Sequence, residues 1–437
     1  MMNHNSMRSR ADHRGFLGAA IFLLGWTAAS MAARAQQAPP VSRIDLEQAI
    51  QLAIQHNHAL KAAQNTIQQS EAQEITAALR PNPLLTYDDL FIPFSAPEGQ
   101  SYGSALNTIT EFDLGFGYTF ERGGKRKARM EAAKDVTAVT RSQVKDNERT
   151  LAYNVAQQFV GVLLAKADLD FANQDLASFQ QTVDISASQY QAGAISEGDL
   201  LKIKLQLLQF ETDVSAARLA LVQSLLSLRQ LLGFESVPAN YDVIGELAYA
   251  PLHGNQEDLQ SLALKQRPDL QAAQRGVTAS QSQYQLAKAN RARSVTTTFT
   301  YSHVSAINGG GFTLNTEIPI YDRNQGEIAR THYAITQANE LQSAASETVM
   351  TDVANAFQTM KVNDQIVQLY TSGYLKQAQD SRDISEYAYN RGAASLLDFL
   401  DAERSYRATQ LAYRQALANY MLSVEQLRGA VGTRNLP

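Results

Sequence analysis

The stretch from Phe112 to Phe120 reads FDLGFGYTF and decides the fold of this 437-residue chain. Every second residue in it is large and apolar, and the residues between are Asp, Gly, Gly and Thr. Side chains of a β-strand point alternately to the two faces of a sheet, so this pattern predicts a strand with one apolar and one polar face. A half-buried strand of a water-soluble protein has the same alternation. A strand of about 9–11 residues with aromatic side chains near its ends is also typical of a membrane barrel.

Three further stretches share this alternation, and together they form two predicted hairpins. The predicted strands cover about residues 84–92 and 112–120 in the first hairpin and 296–303 and 312–320 in the second. Asp88 and Asp89 interrupt the pattern of the first strand. Polar segments that contain Gly, residues 95–110 and 305–311, connect the strands and suit an aqueous face. Because each strand pair is a hairpin, all the flanking helices leave from one side of the sheet.

Four strands cannot close into a barrel by themselves. The bilayer interior offers no water to unpaired backbone groups at sheet edges, and each such group costs several kcal/mol there. Membrane barrels contain at least about eight strands, so two copies are the minimum, and three copies supply about twelve strands around a lumen wide enough for solutes. The predicted fold class is therefore mainly α with a membrane β-barrel portion, which is closed by several copies and continued by a tube of helices.

The chain contains an internal duplication. A shift of 199 residues superimposes Tyr190 on Tyr389, Gly193 on Gly392, Ser196 on Ser395 and Asp199 on Asp398. Chance similarity between Ala-rich helices is the alternative, but matched Gly, Tyr and Asp residues in the same order favour a tandem repeat. The first repeat is predicted to cover residues 36–235 and the second residues 257–437, with a linker at residues 236–256.

Each repeat is predicted to contain three helices and two strands. The predicted helices cover about residues 44–79, 124–190 and 197–232 in the first repeat and 257–291, 325–389 and 395–430 in the second. The middle helix of each repeat would be about 100 Å long at a rise of about 1.5 Å per residue, so it requires a partner surface. Apolar residues in steps of three and four from Leu200 to Leu231 supply a coiled-coil seam.

The N-terminal segment reads as an export signal. Three Arg residues precede an apolar run at residues 15–29, and Ala33-Arg34-Ala35 offers small residues for cleavage, so residues 1–35 are predicted to be a signal peptide. A membrane anchor is the alternative, but this run is shorter than the ~20 apolar residues that a spanning helix needs. The chain contains no Cys, which excludes disulfides, thiolate metal ligands and a lipid-modified Cys.

Charge and motifs argue against nucleic-acid binding and catalysis. The net charge is −5, and no basic stripe is present to neutralise phosphates. His56 and His58 are two residues apart and face different directions on a helix, which makes a poor chelate. Gly309 to Gly311 lacks the helix start with Lys-Ser or Lys-Thr that a phosphate cradle needs. Because no nucleophile and base are brought together by spacing, no catalytic, cofactor or metal site is predicted.

Three motifs resemble those of a known family. Arg80-Pro-Asn-Pro83 precedes the first strand, Phe120-Glu-Arg-Gly-Gly-Lys-Arg126 follows the second, and Gly-x-x-Ser-x-x-Asp turns begin at Gly193 and Gly392. On these residues the chain resembles the TolC-type outer-membrane efflux proteins over essentially its whole mature length. Its Gly-Gly-Lys-Arg run resembles members that serve heavy-metal exporters. The resemblance implies a trimer with a twelve-stranded barrel and a twelve-helix periplasmic tunnel, with a periplasmic adaptor and an inner-membrane pump of the RND type as partners.

The resemblance places the turns at Gly193 and Gly392 at the periplasmic tips of the tunnel. Ser196 and Ser395 are placed to cap the next helix, with Asp199 and Asp398 in its first turn, and capping alone could explain these residues. The functional interpretation is that threefold rings of Asp398 and Asp401, close to Asp199, narrow the entrance and favour cations.

A gate tyrosine of the family matches Tyr389. The family's best-known gate also uses an Arg five residues later, where this chain has Ala394, and Arg391 lies nearby but out of register. The resemblance therefore implies a gate at Tyr389 without the complete latch.

The junction between the second strand and the long helix carries glycine and positive charge. Gly123 and Gly124 let the chain turn sharply, and Lys125 and Arg126 then lie near the inner membrane boundary. A solvated charge run is one interpretation, although cations at a helix start oppose the helix dipole. Contact with phosphates or carboxylates of the outer-membrane lipid is the other.

Together these features predict an outer-membrane exit duct for solutes, with its helical part in the periplasm. The outer component of a protein secretion system shares this architecture and is an alternative. A periplasmic coiled-coil adaptor or scaffold is a third possibility, from a different class. The residues name neither the substrate, the cognate pump nor the trigger of the gate.

Overall fold

The computed structural model of the protein describes residues 42–252 and 254–436. The signal peptide predicted at residues 1–35 lies outside the described residues. The described part is mainly helical with a smaller antiparallel sheet, as predicted for a single copy. In chain order its elements are β1 (Arg43–Ile44), α1 (Leu46–His56), α2 (His58–Ala78), β2 (Leu84–Phe91), α3 (Tyr102–Ile109), β3 (Glu111–Phe120), α4 (Lys125–Gln191), α5 (Glu197–Leu232), β4 (Asp242–Val243), α6 (Gln256–Gln266), α7 (Pro268–Asn290), β5 (Val295–Val304), β6 (Ile307–Thr316), α8 (Gln325–Leu369), a π-helical segment (Tyr370–Tyr374), α9 (Leu375–Asn390) and α10 (Leu396–Val431).

A four-stranded antiparallel sheet carries the apolar alternation. Its strand order is β2, β3, β5, β6, and β3 pairs with β5 along its whole length. Leu114 and Phe116 of β3 are exposed, whereas Gly115 and Gly117 between them are buried. The outer edges of β2 and β6 pair with no other strand of the described part. The sheet therefore presents an apolar face and two open edges.

The second hairpin is shifted relative to the prediction. β6 covers Ile307–Thr316 rather than residues 312–320, so most of the predicted loop is strand. The two strands are joined by a tight turn at Ser305 and Ala306, which adopt φ values of 49° and 67°. Two-residue hairpin turns usually have Asn or Gly at such positions. Because neither residue is present in this turn, the sequence carries no local signal for it.

Two helices that the sequence predicts as continuous are each broken once. The predicted helix at residues 44–79 divides into α1 and α2 at Asn57, and the one at residues 257–291 divides into α6 and α7 at Arg267. The two residues have nearly the same backbone angles, φ −63° and ψ 119° for Asn57 against φ −64° and ψ 123° for Arg267. The break is thus the same structural feature in both halves.

The cause of the break differs between the halves. The Asn57 side chain accepts a hydrogen bond from Leu60 N and donates one to Leu231 O, each at 3.0 Å, so it caps α2 and ties it to α5. In the second half Pro268 begins α7, and a proline disfavours helical geometry in the residue before it. The break before Pro268 could be predicted from the sequence, whereas the break at Asn57 depends on a tertiary contact with Leu231.

The long helices of the two halves also differ. α4 runs from Lys125 to Gln191 without interruption, but the helix predicted at residues 325–389 is divided by the π-helical segment. Gly373 within that segment has φ 138°, a conformation open to glycine and costly for other residues. In the first outer connection, predicted as a loop at residues 95–110, the structure places the short helix α3.

Buried apolar side chains form three clusters. The first joins α1, α4 and α5 around Phe159, and the second joins α6, α8 and α10 around Tyr420. The third joins α4, α5, α9 and α10 around Phe399, close to the turns that connect these helices. No helix in the described ranges is both long enough and apolar enough to cross a membrane.

Candidate functional site

The α4–α5 and α9–α10 turns lie side by side. The amide Nε2 of Gln189 donates to the carbonyl oxygen of Asn390 at 3.1 Å across them. Gly193 and Gly392 adopt φ values of 73° and 70°, and each donates its N–H to the carbonyl three residues earlier at 2.9 Å. Left-handed backbone is costly for a residue with a Cβ. The two turns therefore have the same geometry and the same need for glycine.

Ser196 and Ser395 cap the helices that follow the turns. Their hydroxyl oxygens accept the backbone N–H of Asp199 and Asp398 at 3.1 and 3.2 Å. The Asp398 carboxylate accepts hydrogen bonds from the Ser395 hydroxyl at 2.7 Å and from the Ser395 N–H at 3.3 Å, which completes a capping box. Hydrogen bonds from the Ser196 hydroxyl and from Lys202 lower the pKa of Asp199. The Asp398 carboxylate thus has a capping role, whereas the Asp199 carboxylate is held by Ser196 and Lys202.

Asp401 differs from these two carboxylates because it takes no part in either cap. Its side chain is 72% exposed, and its nearest cation is Arg404 on the same helix, at 3.6 Å. Asp398 is also exposed. The predicted acidic residues of the entrance therefore lie on an accessible surface beside the turns.

Tyr389 is buried in the protomer, at the end of a stack of aromatic rings. Its ring lies parallel to that of Phe399 with centroids 5.5 Å apart, and Phe399 stacks on Phe179 at 6.4 Å. Phe179 stacks in turn on Phe210 at 4.4 Å. The stack contains one ring from each of the four helices α4, α5, α9 and α10, so movement of the second turn must disturb it.

The Tyr389 hydroxyl accepts or donates no hydrogen bond within residues 42–252 and 254–436, although it is buried. Arg391 lies over the ring of Tyr387 at 5.2 Å instead. The structure therefore brings Tyr389 together with Phe399, and it does not bring it to an arginine of the described part.

Behind the aromatic stack lies a layer of buried charges that the sequence did not reveal. Asp175 of α4 and Glu403 of α10 are both buried. Arg407 Nε lies 2.6 Å from an Asp175 carboxylate oxygen, and Arg382 Nε donates to Glu403 at 3.1 Å. The Arg407 guanidinium also lies 4.1 Å from the centre of the Phe210 ring. The charged layer and the aromatic stack therefore share one packed unit.

The two buried carboxyl groups influence each other. Burial, strengthened by the negative charge of Asp175, raises the pKa of Glu403 to about 7. Burial also raises the pKa of Asp175, against the opposing effect of Arg407. Glu403 and Arg407 are four residues apart on α10, which in a sequence is typical of an exposed helix pair. Their partners come from distant helices, so no local pattern could have located this layer.

The predicted strand-to-helix junction is closely packed. Gly123 and Gly124 both adopt φ 71°. A Cβ on Gly123 would overlap the side chain of Ala292 and lie 3.0 Å from the carbonyl oxygen of Ala289, whereas a Cβ on Gly124 would meet open space. Gly123 is therefore required for the approach of α7, and Gly124 for its backbone conformation alone.

Basic residues at the start of α4 bind the end of α2. Arg126 Nε donates to the carbonyl oxygen of Ala78 at 2.6 Å, and Arg129 donates to that of Ala77 at 2.9 Å. Lys125 Nζ donates to Ser294 Oγ at 3.0 Å. Cations are favoured at a helix C-terminus, so the end of α2 accounts for charges that oppose the dipole of α4.

The fold and the paired turns define a class: a channel-forming export protein, in which long helical hairpins continue a sheet with an apolar face. A sequence profile of the outer membrane efflux protein family matches residues 49–234 and 259–433, and the chain belongs to that family. It is an efflux channel protein of the outer membrane with its helical part in the periplasm. The family decides against the alternative of a periplasmic adaptor or scaffold.

Similar proteins cover most of the chain. SilC of Salmonella typhimurium, a probable outer membrane lipoprotein, is 27% identical over 399 residues, which are 85% of this chain and 81% of SilC. CusC of Escherichia coli strain K12, a cation efflux system protein, is 27% identical over 402 residues, 86% of this chain and 83% of CusC. A crystal structure of CusC has a TM-score of 0.74 at 21% identity and covers 92% of this chain and 96% of its own.

Replacing Gly123 by Ala should destabilise the protein more than replacing Gly124 by Ala. Both changes place a Cβ on left-handed backbone, at about 1–2 kcal/mol. Gly123→Ala adds the overlap with Ala292, and such overpacking costs about 1–3 kcal/mol more. Thermal unfolding followed by circular dichroism in detergent measures the difference. Equal shifts of the midpoint would contradict the close packing of α7 at this glycine.

The stability of the charged layer should fall as the pH rises through about 7. The raised pKa of Glu403 means that the folded protein holds this proton more tightly than the unfolded chain. The contribution of protonated Glu403 to the free energy of unfolding is complete below the ordinary glutamate pKa and is lost as the pH rises above about 7. Thermal unfolding between pH 5.5 and 8.5 should show a pH-dependent decrease of roughly 5 °C that Glu403→Gln removes. Asp383→Asn, which removes an exposed partner of Arg382, is the control and should leave the decrease intact.

Proposed function

We propose that three copies of this chain form the outer-membrane duct of a tripartite exporter of metal cations. An inner-membrane pump of the RND type supplies the solute through a periplasmic adaptor. The duct is passive and performs no catalysis: solute enters between the helical turns and leaves through a twelve-stranded barrel. Membership of the outer membrane efflux protein family supports this assignment.

The observation that carries the proposal is that the sheet, as far as the structure describes the chain, has two unpaired edges and an exposed apolar face. Its outer edges on β2 and β6 have no strand partner in the described part, and apolar side chains such as Phe312, which is 82% exposed, stand on its face. Unpaired backbone groups are costly in hydrocarbon, so a sheet of this kind needs further strands in a membrane. Three copies supply about twelve, and the β6 edge of one copy then pairs with the β2 edge of the next.

The helix α5 supports assembly independently. Its predicted seam is buried inside the protomer at Leu200, Ile203, Phe210, Val214 and Leu228. A second stripe on another side of α5 is exposed, and it follows alternating steps of four and three: Leu201, Leu205, Leu208, Thr212, Ser215, Leu219, Val222 and Leu226. A helix with two seams packs between two neighbours. The exposed stripe is thus suited to a helix of an adjacent copy.

The assignment of metal cations as substrate rests on two supports. CusC, one of the similar proteins, is by name part of a cation efflux system. In a threefold assembly Asp398 and Asp401 form acidic rings beside the turns, and such rings favour cations in pores. Tyr389 is the proposed gate residue, since its stacking on Phe399 links the second turn to the rest of the tip.

Substituting Leu205 and Leu208 by Glu should prevent assembly and abolish export. Two charges on the exposed α5 stripe would be buried against the neighbouring copy, which is strongly unfavourable. In a strain that lacks the native gene, the wild-type chain should restore tolerance to toxic transition-metal salts, and the double variant should not. Gel electrophoresis of unheated samples should show trimers for the wild type and monomers for the variant.

Ala216→Glu with Ala220→Glu is the matched control, because these residues are exposed on α5 outside the stripe. This variant should assemble and restore tolerance. Deletion of the gene could instead leave metal tolerance unchanged and cause a normally secreted protein to be retained inside the cell. That result would contradict the assignment as a metal exporter and favour a protein secretion duct.

Asp401→Asn should weaken the cation preference of the channel without affecting stability. Asp401 takes no part in a helix cap, so its charge can be removed alone. Asp398→Ala should in addition lower stability by about 1 kcal/mol, since it removes part of the capping box. Reversal potentials of single channels in a salt gradient, together with thermal unfolding, measure both effects. An unchanged reversal potential in Asp401→Asn would contradict a role of this acidic ring in cation preference.

A further inference from the structure

Positive charge is distributed unequally about the sheet. Residues 81–121 and 294–321, which contain the four long strands and their outer connections, include no Lys and no Arg. The basic residues nearest to the sheet all lie where strands join helices: Arg80, Arg122, Lys125, Arg126, Lys127, Arg129, Lys288, Arg291, Arg293, Arg323 and Arg330. A protein with a net charge of −5 thus carries a belt of positive charge at one level.

In the first half most of this belt is already engaged. Arg126 and Arg129 bind carbonyl groups of α2, Arg129 also pairs with Glu121 at 2.7 Å, and Lys127 pairs with Glu131 at 3.8 Å. These contacts account for the charges as parts of the junction. They give no reason to expect a further ligand there.

The second half contains a cleft beside the belt instead. This cleft has a volume of about 470 Å³ and lies between α7 and α8, next to the sheet. A separate cavity of about 660 Å³ lies near β4, away from the belt. The lining of the cleft includes Tyr284, Arg291, Arg323, Gln325, Ile328 and His332. These side chains supply two permanent positive charges and several hydrogen-bond donors, and they include no carboxylate.

The acidic residues near the cleft are neutralised by other arginines. Arg293 pairs with Glu317 at 3.1 Å and with Asp322 at 3.0 Å. Arg330 pairs with Glu327 at 2.6 Å. Within residues 42–252 and 254–436, Arg291 and Arg323 form no ion pair with a carboxylate. Two guanidinium groups that share a cleft without a counter-ion form an anion-binding arrangement, because this group matches the oxygens of a phosphate.

The surface next to the cleft is apolar on the side of the sheet. Ile318, Ile320 and Tyr321 immediately precede the basic segment, and Tyr321 is 90% exposed. A lipid with a phosphate head group and acyl chains combines both surfaces: negative charge at the level of the arginines and hydrocarbon at the level of Tyr321. A free inorganic anion would use the first surface alone.

We infer that the cleft between α7 and α8 binds the phosphate of an anionic phospholipid in the leaflet on the helical side of the membrane. The inference rests on the proposed function, since it requires the sheet to lie in the membrane. The head group contacts Arg291 and Arg323, and Tyr284 and His332 close the cleft from α7 and α8. Bound lipid then fixes the depth at which the protein is inserted in the membrane.

Binding can be measured on the purified full-length trimer in detergent. A fluorescent phosphatidylglycerol is the probe, and unlabelled phosphatidylglycerol, phosphatidylcholine and inorganic phosphate are the competitors. Phosphatidylglycerol should displace the probe, and phosphatidylcholine and phosphate at equal concentration should displace it far less. Arg291→Gln with Arg323→Gln should weaken binding about 25-fold, because each cation near an anionic lipid contributes about fivefold in affinity.

Arg141→Gln with Arg218→Gln is the matched control, since it removes two exposed arginines that do not line the cleft and belong to neither the belt nor its ion pairs. It should bind the probe like the wild type. Equal displacement by phosphatidylcholine would overturn the inference, as would displacement by phosphate alone or equal losses in the two double variants. Channel conductance in vesicles is recorded in parallel. A protein that conducts ions but does not select phosphatidylglycerol would leave the proposed function intact and refute the lipid site.

Discussion

The pairing of β3 with β5 runs along two ten-residue strands and holds the two halves of the chain together in the sheet. Because α4 follows β3 and α7 precedes β5, this pairing also brings the start of α4 against the end of α7, where Gly123 meets Ala292. A slip of one residue would turn every apolar side chain of β3 to the opposite face. The junction, the apolar face and the direction of the helices all depend on this one register.

Features that depend on local residue order could be predicted from the sequence. The alternation around Phe116 predicted a strand, and Gly193 and Gly392 predicted the turns between helices, because in both cases the residue type is required by the backbone next to it. The turn at Ser305 and Ala306 could not be found in this way, since neither residue favours positive φ. The break at Asn57 depends on a bond to Leu231, 174 residues away, and no local pattern records such a contact.

In the candidate site, too, local features could be predicted from the sequence and long-range contacts could not. The caps at Ser196 and Ser395 follow from residues three positions apart, and the sequence located them correctly. The burial of Tyr389 against Phe399 and the pairing of Asp175 with Arg407 require four helices to be packed first. The resemblance to a known family drew attention to Tyr389, but Glu403, whose pKa is raised by burial, has no distinguishing neighbour in the chain. Long-range electrostatics is therefore what the sequence concealed.

The two halves, similar in so much else, are unequal in stiffness. The 67 residues of α4 form one unbroken rod, whereas the matching hairpin is jointed at Gly373, and the 16 residues of α9 between that joint and the second turn act as a lever about 24 Å long. A tilt of about 10° at the joint displaces the far end of such a lever by about 4 Å, while the rod beside it stays in place. The two halves of the protomer thus differ in one feature, an uninterrupted long helix in the first and a long helix with a joint at Gly373 in the second.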